Sequence, residues 1–331
     1  MGDAILATPM LNSLKASFPD ARIDFVLNER IAPLFRGHPA ISNIITFTDD
    51  ERHHARVYIK KVWRITHDVH YDVIIDMRST MNTMLFALLS PSSKYRIGIR
   101  KPYTLVTFNH RFDGCAADES MIDHNLKLIS PLKPSKLVRE LTLCVTDEEQ
   151  HTFRQYMEKQ GIDFSRPVML VGVTAKLENK TWHEDRMTAT LKHIIETRPE
   201  MQLVFNYAPG REAENARRIY ERLGSPEQVY INIEAKSMRE LAAMAANCTM
   251  YFGNEGGARH IVHAMGKPSF VICSPMASKK TWLPSDTDIP AVGISPEDIS
   301  SVSGLSYKEQ YDLITVERVC SSLDSFLKSH L

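Results

Sequence analysis

The residues with the most chemical content lie between Met250 and Cys273. Gly253-Asn-Glu-Gly-Gly257 brings glycines, one amide and one acid together between an apolar run, Met250-Tyr-Phe252, and a stretch with helical spacing, Ala258 to Met265. Glycines allow a backbone to approach a ligand closely. The first amides of a helix favour negative charge, typically a phosphate. Gly256, Gly257 and Ala258 would supply those amides. Glu255 could accept hydrogen bonds from sugar hydroxyls, and His260, in the first helical turn, would face the same mouth. The plainer alternatives are a tight turn and a packed histidine.

The elements around this stretch must hold it at the edge of a sheet. Gly266 and Pro268 end the helix, and Ser269-Phe-Val-Ile-Cys273 reads as the next buried strand. Strand, glycine loop, helix, strand is half of a nucleotide-binding unit. The same alternation precedes it, with strands at Val168–Val173, Gln202–Asn206 and Val229–Asn232 and helices at Glu184–Arg198, Glu212–Leu223 and Ser237–Ala246. Loops after these strands carry Thr174, Lys176, Lys180 and Pro209-Gly210, on the rim where open α/β sheets bind ligands. Thr146 with Glu149, and Ser237 with Glu240, have capping-box spacing.

The first part of the chain alternates too. A helical stripe runs through Ile5, Leu6, Leu11, Leu14 and Phe18, with Pro9 near its start. Strands are expected at Arg22–Leu27, Asn43–Phe47 and Tyr71–Asp76, and helices over 50–66 and 123–129, while Leu141–Val145 ends the first half. Lys94 to Arg111 holds Lys94, Arg96, Arg100, Lys101 and Arg111 without an acid, interleaved with Tyr95, Tyr103 and Phe108. That segment is either a face for an anionic acceptor or membrane surface, or a strand pair with solvated basic side chains. His67-Asp-Val-His70 suggests a linker rather than a metal pair, since nothing nearby completes a ligand set.

At 331 residues two domains are expected, divided as 1–145 and 146–331. Apolar content of 43% and charged content of 24% suit two globular cores. Lys+Arg and Asp+Glu are both 40, which argues against a general nucleic-acid binder. Cys115, Cys144, Cys248, Cys273 and Cys320 are widely spaced and read as reduced thiols, not a disulfide framework or zinc site. No run approaches the roughly 18 apolar residues of a membrane span, no leader is read in the opening residues, and a cytoplasmic location is expected. Gly2-Asp3 has the look of a strand-to-helix loop, so the opening strand is expected upstream of Met1. The final helix, Val316–His330, could cross back to the first domain.

These motifs together resemble the family-nine glycosyltransferases, the bacterial lipopolysaccharide heptosyltransferase family. The resembling residues are Gly2-Asp3, Thr8-Pro9, Leu11, Leu14 and Phe18-Pro19, then Lys180-Thr181-Trp182, Glu255-Gly256-Gly257-Ala258-Arg259-His260, Gly266-Lys267-Pro268 and Trp282-Leu283-Pro284. The resemblance implies a GT-B fold, two Rossmann-like domains facing across a cleft. It implies inverting transfer from a nucleotide sugar, typically ADP-heptose, to an anionic glycolipid or glycan acceptor, without cofactor or bound metal, at or near the inner membrane surface. Asp3 would be the catalytic base; its plainer role is a helix cap. Thr174, Lys180, Glu255, Gly256, Gly257, Ala258 and His260 would hold the donor, and Arg100, Lys101, His110 and Arg111 would lie on the acceptor side. Glu255-Gly256 departs from the family's usual Asp followed by a hydroxyl residue, which bears on the donor. A sugar-nucleotide epimerase and a catalytically degenerate sugar-nucleotide-binding protein are the alternatives; a dehydrogenase is disfavoured because no G-x-G-x-x-G follows a strand.

Overall fold

The protein is described by a computed structural model covering residues 1–284 and 286–331. It divides into two compact units, one of Leu6–Glu140 and one of Leu141–Leu331 joined by Met1–Ile5. The break therefore falls at 141 where 146 was expected, and the opening residues belong with the second half.

The Leu6–Glu140 unit holds two separate parallel sheets. Strand β1 (Asp24–Asn28) pairs with β2 (Asn43–Phe47), and β3 (Val73–Asp76), β4 (Tyr95–Ile99) and β5 (His110–Phe112) form the other. Pro9 stands in the first turn of helix Thr8–Ser17, where its missing N–H costs nothing. The expected helix 50–66 is two helices, Asp49–His53 and Ala55–Asp68. The Thr48–Glu51 capping box starts the first, and His54 is extended between them. Gly98 lies beneath the Phe108 ring, which would overlap any Cβ there.

Leu141–Val145, read from the sequence as the end of the first half, opens the second unit. Leu141 and Leu143 are buried, but the segment joins no ladder. Just before it, Val138 donates to Ser13 Oγ and Asn12 donates to Glu140 O, so residues 138–140 are held along helix Thr8–Ser17. The Thr146–Glu149 capping box forms as expected. Glu149 also takes two bonds from Arg239 at 2.6 and 2.7 Å, and the guanidinium draws its carboxyl down to about 2. At Ser237 the box is incomplete: Ser237 caps Glu240 N, but the Glu240 carboxylate accepts from Lys236 N instead.

The second unit is built on one six-stranded parallel sheet. Its strands are β6 (Val168–Gly172), β7 (Gln202–Phe205), β8 (Val229–Tyr230), β9 (Met250–Asn254), β10 (Ser269–Ile272) and β11 (Ala291–Ile294). Their order is β11-β10-β9-β6-β7-β8. Chain direction across the sheet reverses between β6 and β9, both buried along their whole length. That is the doubly wound order with its switch point at the centre. Val316–His330 is a helix as expected, but it packs on helix Glu184–Thr197 of its own unit, where His193 meets Asp324 at 3.0 Å. Its Val319, Leu323, Phe326 and Leu327 complete that unit's core, which corrects the expected crossing.

Candidate donor site at the switch point

The loops after β6 and β9 meet at the reversal of strand order, so the residues they carry converge without any special arrangement of side chains. Gly253 is part of β9, not of the loop as expected. Its φ is +142°, and a Cβ would overlap the Gly172 backbone of β6. Both central strands therefore need glycine where they lie side by side. Asn254 then ties the two loops: its Oδ1 accepts from Trp182 N at 2.7 Å and its Nδ2 donates to Gly172 O at 3.0 Å. The Thr181 hydroxyl closes the β6 loop on Ala175 N at 3.2 Å. Trp182, 1% exposed, anchors the loop by donating from Nε1 to Ile314 O.

On this frame Lys180 and Glu255 form an ion pair at 2.6 Å, with 35% and 13% of their side chains exposed. The other Glu255 oxygen accepts from Ser274 N at 3.2 Å. Thr174 is 7% exposed, and its Oγ1 is buried with no hydrogen-bond partner. A buried hydroxyl without a partner is costly unless something else satisfies it. Helix Gly257–Ala264 begins one residue before the expected Ala258, and Gly256 gives it no side-chain cap. Its first amides are thus left to a ligand or to water. Thr174, Lys180, Glu255, Gly256, Gly257 and Ala258 are brought to one rim: a cation, an acid, a hydroxyl and helix amides.

His260 is placed differently from the expectation of an open mouth. Its ring is 7% exposed, lies edge-on to Trp282 and sits beneath Gly2. Burial, and then the neighbouring Arg259 charge, hold the imidazole well below its ordinary value, so it is neutral. Arg259 had not been singled out. It is 2% exposed; Nη2 contacts the His260 ring and donates to Trp282 O, while Nη1 has no partner. Burial lowers this guanidinium to about 10. The sequence signal for it was weak, because an arginine at a helix start reads as solvated.

Asp3 lies within the helical turn Gly2–Ile5 and is exposed, so it is not the N-cap of a helix starting at Ala4. This turn packs on helix Gly257–Ala264, with Gly2 against His260 and Met1 against Gly257. Asp3 therefore belongs to the same unit as the donor rim, not to the first half as expected.

The acceptor-side residues belong to the Leu6–Glu140 unit. Arg100 pairs loosely with Asp113 at 3.5 Å. Lys101 donates to the carbonyls of Arg78 and Ser79 at 2.9 and 3.0 Å, capping a turn in which Ser79 has φ +46°. His110 stacks on Tyr95 at 5.4 Å. Arg111 is half-buried in β5. The segment is a pair of parallel strands with part of its basic charge already committed.

The sheet thus places a cation, an acid and helix amides at its switch point. Lipopolysaccharide heptosyltransferase 1 of Campylobacter coli is 22% identical over 286 residues, 82% of this chain and 80% of that protein. The crystal structure of the glycosyl transferase family 9 from Veillonella parvula DSM 2008 superposes with a TM-score of 0.83 at 17% identity, covering 99% of this chain and 95% of that one. The Escherichia coli ADP-heptose lps heptosyltransferase II does so with 0.75 at 18% identity, covering 99% and 96%. The fold is thus GT-B. The model of glycosyltransferase family 9 (heptosyltransferase) matches residues 59–293, from before β3 through β11, and includes both loops of the donor rim. The chain belongs to glycosyltransferase family 9, the heptosyltransferases, and is a glycosyltransferase.

Proposed function

We propose that the protein moves a heptose from ADP-heptose to a lipopolysaccharide-core or related glycan acceptor, with inversion and without a metal ion in the step. The observation that carries this reading is the meeting of Lys180, Glu255 and the uncapped helix start at the switch point between β6 and β9. Lys180 and the amides of Gly256, Gly257 and Ala258 would take the charge of the leaving diphosphate. Glu255, released from Lys180 as the phosphate competes for it, would accept from sugar hydroxyls. The Thr174 hydroxyl would gain the partner it lacks. His260, neutral and buried, would hold the helix start in place.

Asp3 would act as base. The acceptor oxygen attacks the anomeric carbon from the face opposite the diphosphate, and its proton passes to the Asp3 carboxylate. The bond from that carbon to the diphosphate oxygen breaks, and the electron pair leaves with the nucleoside diphosphate. The position of Gly2 against His260 supports this role, because it keeps Asp3 beside the donor helix. Arg100, Lys101, His110 and Arg111 are the candidates for the anionic acceptor, which would bring the protein to the cytoplasmic face of the inner membrane. No helix among the described residues is long and apolar enough to cross a membrane.

The test is transfer itself. The full chain is incubated with ADP-heptose and a lipopolysaccharide-core acceptor, and the product is followed by mass. A gain of one heptose with release of ADP is expected. In parallel, ADP-, UDP- and GDP-sugars are compared for protection against thermal unfolding. Protection by a UDP-sugar but not by ADP-heptose would overturn the donor and leave the transferase class standing.

A further inference from the structure

The stretch from β5 into helix Met121–Leu128 gathers three side chains of another kind. Cys115 Sγ, a Glu119 carboxylate oxygen and a His124 ring nitrogen all lie within 4.8 Å of one another. The local sequence fixes them there. Ser120 caps the helix by accepting from Asp123 N, which sets Glu119 immediately before the first turn. His124 sits inside the helix and is 4% exposed. Its Nδ1 lies 3.4 Å from Glu119 Oε2, yet it is buried without a hydrogen bond. Cys115 Sγ has only long contacts, to Ala116 O at 3.7 Å and Glu119 O at 3.5 Å. Nearby groups are partly used: Asp123 by Ser120 and Arg139, Glu119 Oε1 by Lys127 at 3.5 Å, and Glu119 Oε2 by Ala116 N at 3.2 Å, which leaves that oxygen a second lone pair.

We propose that Cys115, Glu119 and His124 bind a soft divalent metal ion of the zinc type, with water in the fourth position. Thiolate and imidazole select Zn²⁺ over Mg²⁺ or Ca²⁺, which take oxygen ligands. Around a tetrahedral Zn²⁺, with bonds of about 2.0 to 2.3 Å, ligand atoms stand roughly 3.2 to 3.8 Å apart. The cluster needs only a small contraction to reach that spacing. The charges also close: one thiolate, one carboxylate and a neutral imidazole balance a dication. Metal binding would satisfy the orphaned His124 nitrogen and pin residues 114–120 to the helix. Cys115 is half-exposed, so an ion has a way in. The site belongs to the unit that does not carry the donor residues, so it takes no part in holding the donor, and it departs from the reading of all five cysteines as plain thiols.

The experiment is a Co²⁺ titration of the full chain after chelation. One equivalent should bind with an intense near-ultraviolet sulfur-to-metal band, which Zn²⁺ then abolishes. Bound Zn²⁺ should slow proteolysis within residues 114–120. Cys115→Ser should remove the band and weaken Zn²⁺ binding at least ~10-fold. His124→Ala should weaken it comparably; because His124 is buried, Cys115→Ser carries the test if that variant fails to fold. Absence of the band in the parent protein, or its persistence in Cys115→Ser, overturns the proposal and leaves a His124–Glu119 contact only.

Discussion

The two units bury their apolar residues in different ways. The donor-side unit has one continuous core, running from Met169 and Val171 through Trp182, Phe252 and Phe270 to Leu323 and Leu327. The Leu6–Glu140 unit has separate small clusters, such as Phe47 with Tyr58 and Val62, and Met84 with Ala87 and Phe108. Its strands are split between two sheets, and Met81, Leu105 and Val106 stand out at 63%, 63% and 81% exposure. Small separate sheets open locally at lower cost than one wide buried sheet. The loops at the switch point are thus expected to sit on stiffer backbone than the loops of the Leu6–Glu140 unit.

The largest expected effect tests that contrast directly. At Gly253 a Cβ would meet the backbone of Gly172 and the φ of +142° would be strained, whereas at Gly98 it would meet only the Phe108 ring. Gly253→Ala should cost about 4 kcal/mol and Gly98→Ala about 1 kcal/mol, read from urea midpoints. Equal costs would mean that the central strands yield as easily as the smaller sheet.

Next comes the unit that supplies the base. Asp3→Asn keeps the size of the side chain and removes the proton acceptor. Turnover should fall at least ~10²-fold, with the affinity for nucleoside diphosphate unchanged. Transfer at the parental rate would send the search for the base elsewhere, starting with Glu255 and His260.

Lys180→Ala should weaken nucleoside diphosphate binding by about 1.5–3 kcal/mol, the worth of a charge-assisted contact. Lys101→Ala, in the other unit, should leave it alone. A calorimetric titration with ADP separates the two, and a loss from Lys101→Ala of the same size would break the assignment of nucleotide to one unit.

A last comparison, small per pH unit, sets one buried histidine of each unit side by side. Burial lowers His263 to about 3 and His38 to about 4. Both are neutral in the folded protein, while the unfolded chain takes up protons near the ordinary histidine value of about 6.5. Their contribution to stability is therefore complete above about pH 6.5 and declines on acidification, by up to ~1.4 kcal/mol per pH unit for each group. The decline ends near pH 4 for His38 and near pH 3 for His263. His38→Gln and His263→Gln should each flatten the dependence between pH 6.5 and 4, measured by urea midpoints; an unchanged slope in either would remove that histidine from the linkage.

Much of the architecture was legible where local chemistry and tertiary demand coincide. Thr146 with Glu149 starts a helix through its own side chains, and Val316–His330 has an apolar stripe of the right period, so neither needed knowledge of a partner. Gly253 misled because a glycine beside Gly256 and Gly257 looks like loop, while its real reason is a neighbouring strand far away in sequence. At the donor rim the residue types were visible. What was not visible is the Lys180–Glu255 pair, the lock made by Asn254 and the burial of Arg259, since each depends on side chains brought from distant elements.

The bond from the Trp182 indole to Ile314 O has a consequence for synthesis on the ribosome. Arg186 adds bonds to the carbonyls of Tyr311, Asp312 and Ile314, so this clasp cannot form until residue 314 has cleared the exit tunnel. Met1–Ile5 bridge a still longer stretch of sequence, because their seat is helix Gly257–Ala264. The Leu6–Glu140 unit is contiguous and can form while the rest is being translated. The other unit must close over long sequence separations and so would mature late, leaving Met1–Ile5 exposed to nascent-chain binding factors until helix Gly257–Ala264 has emerged.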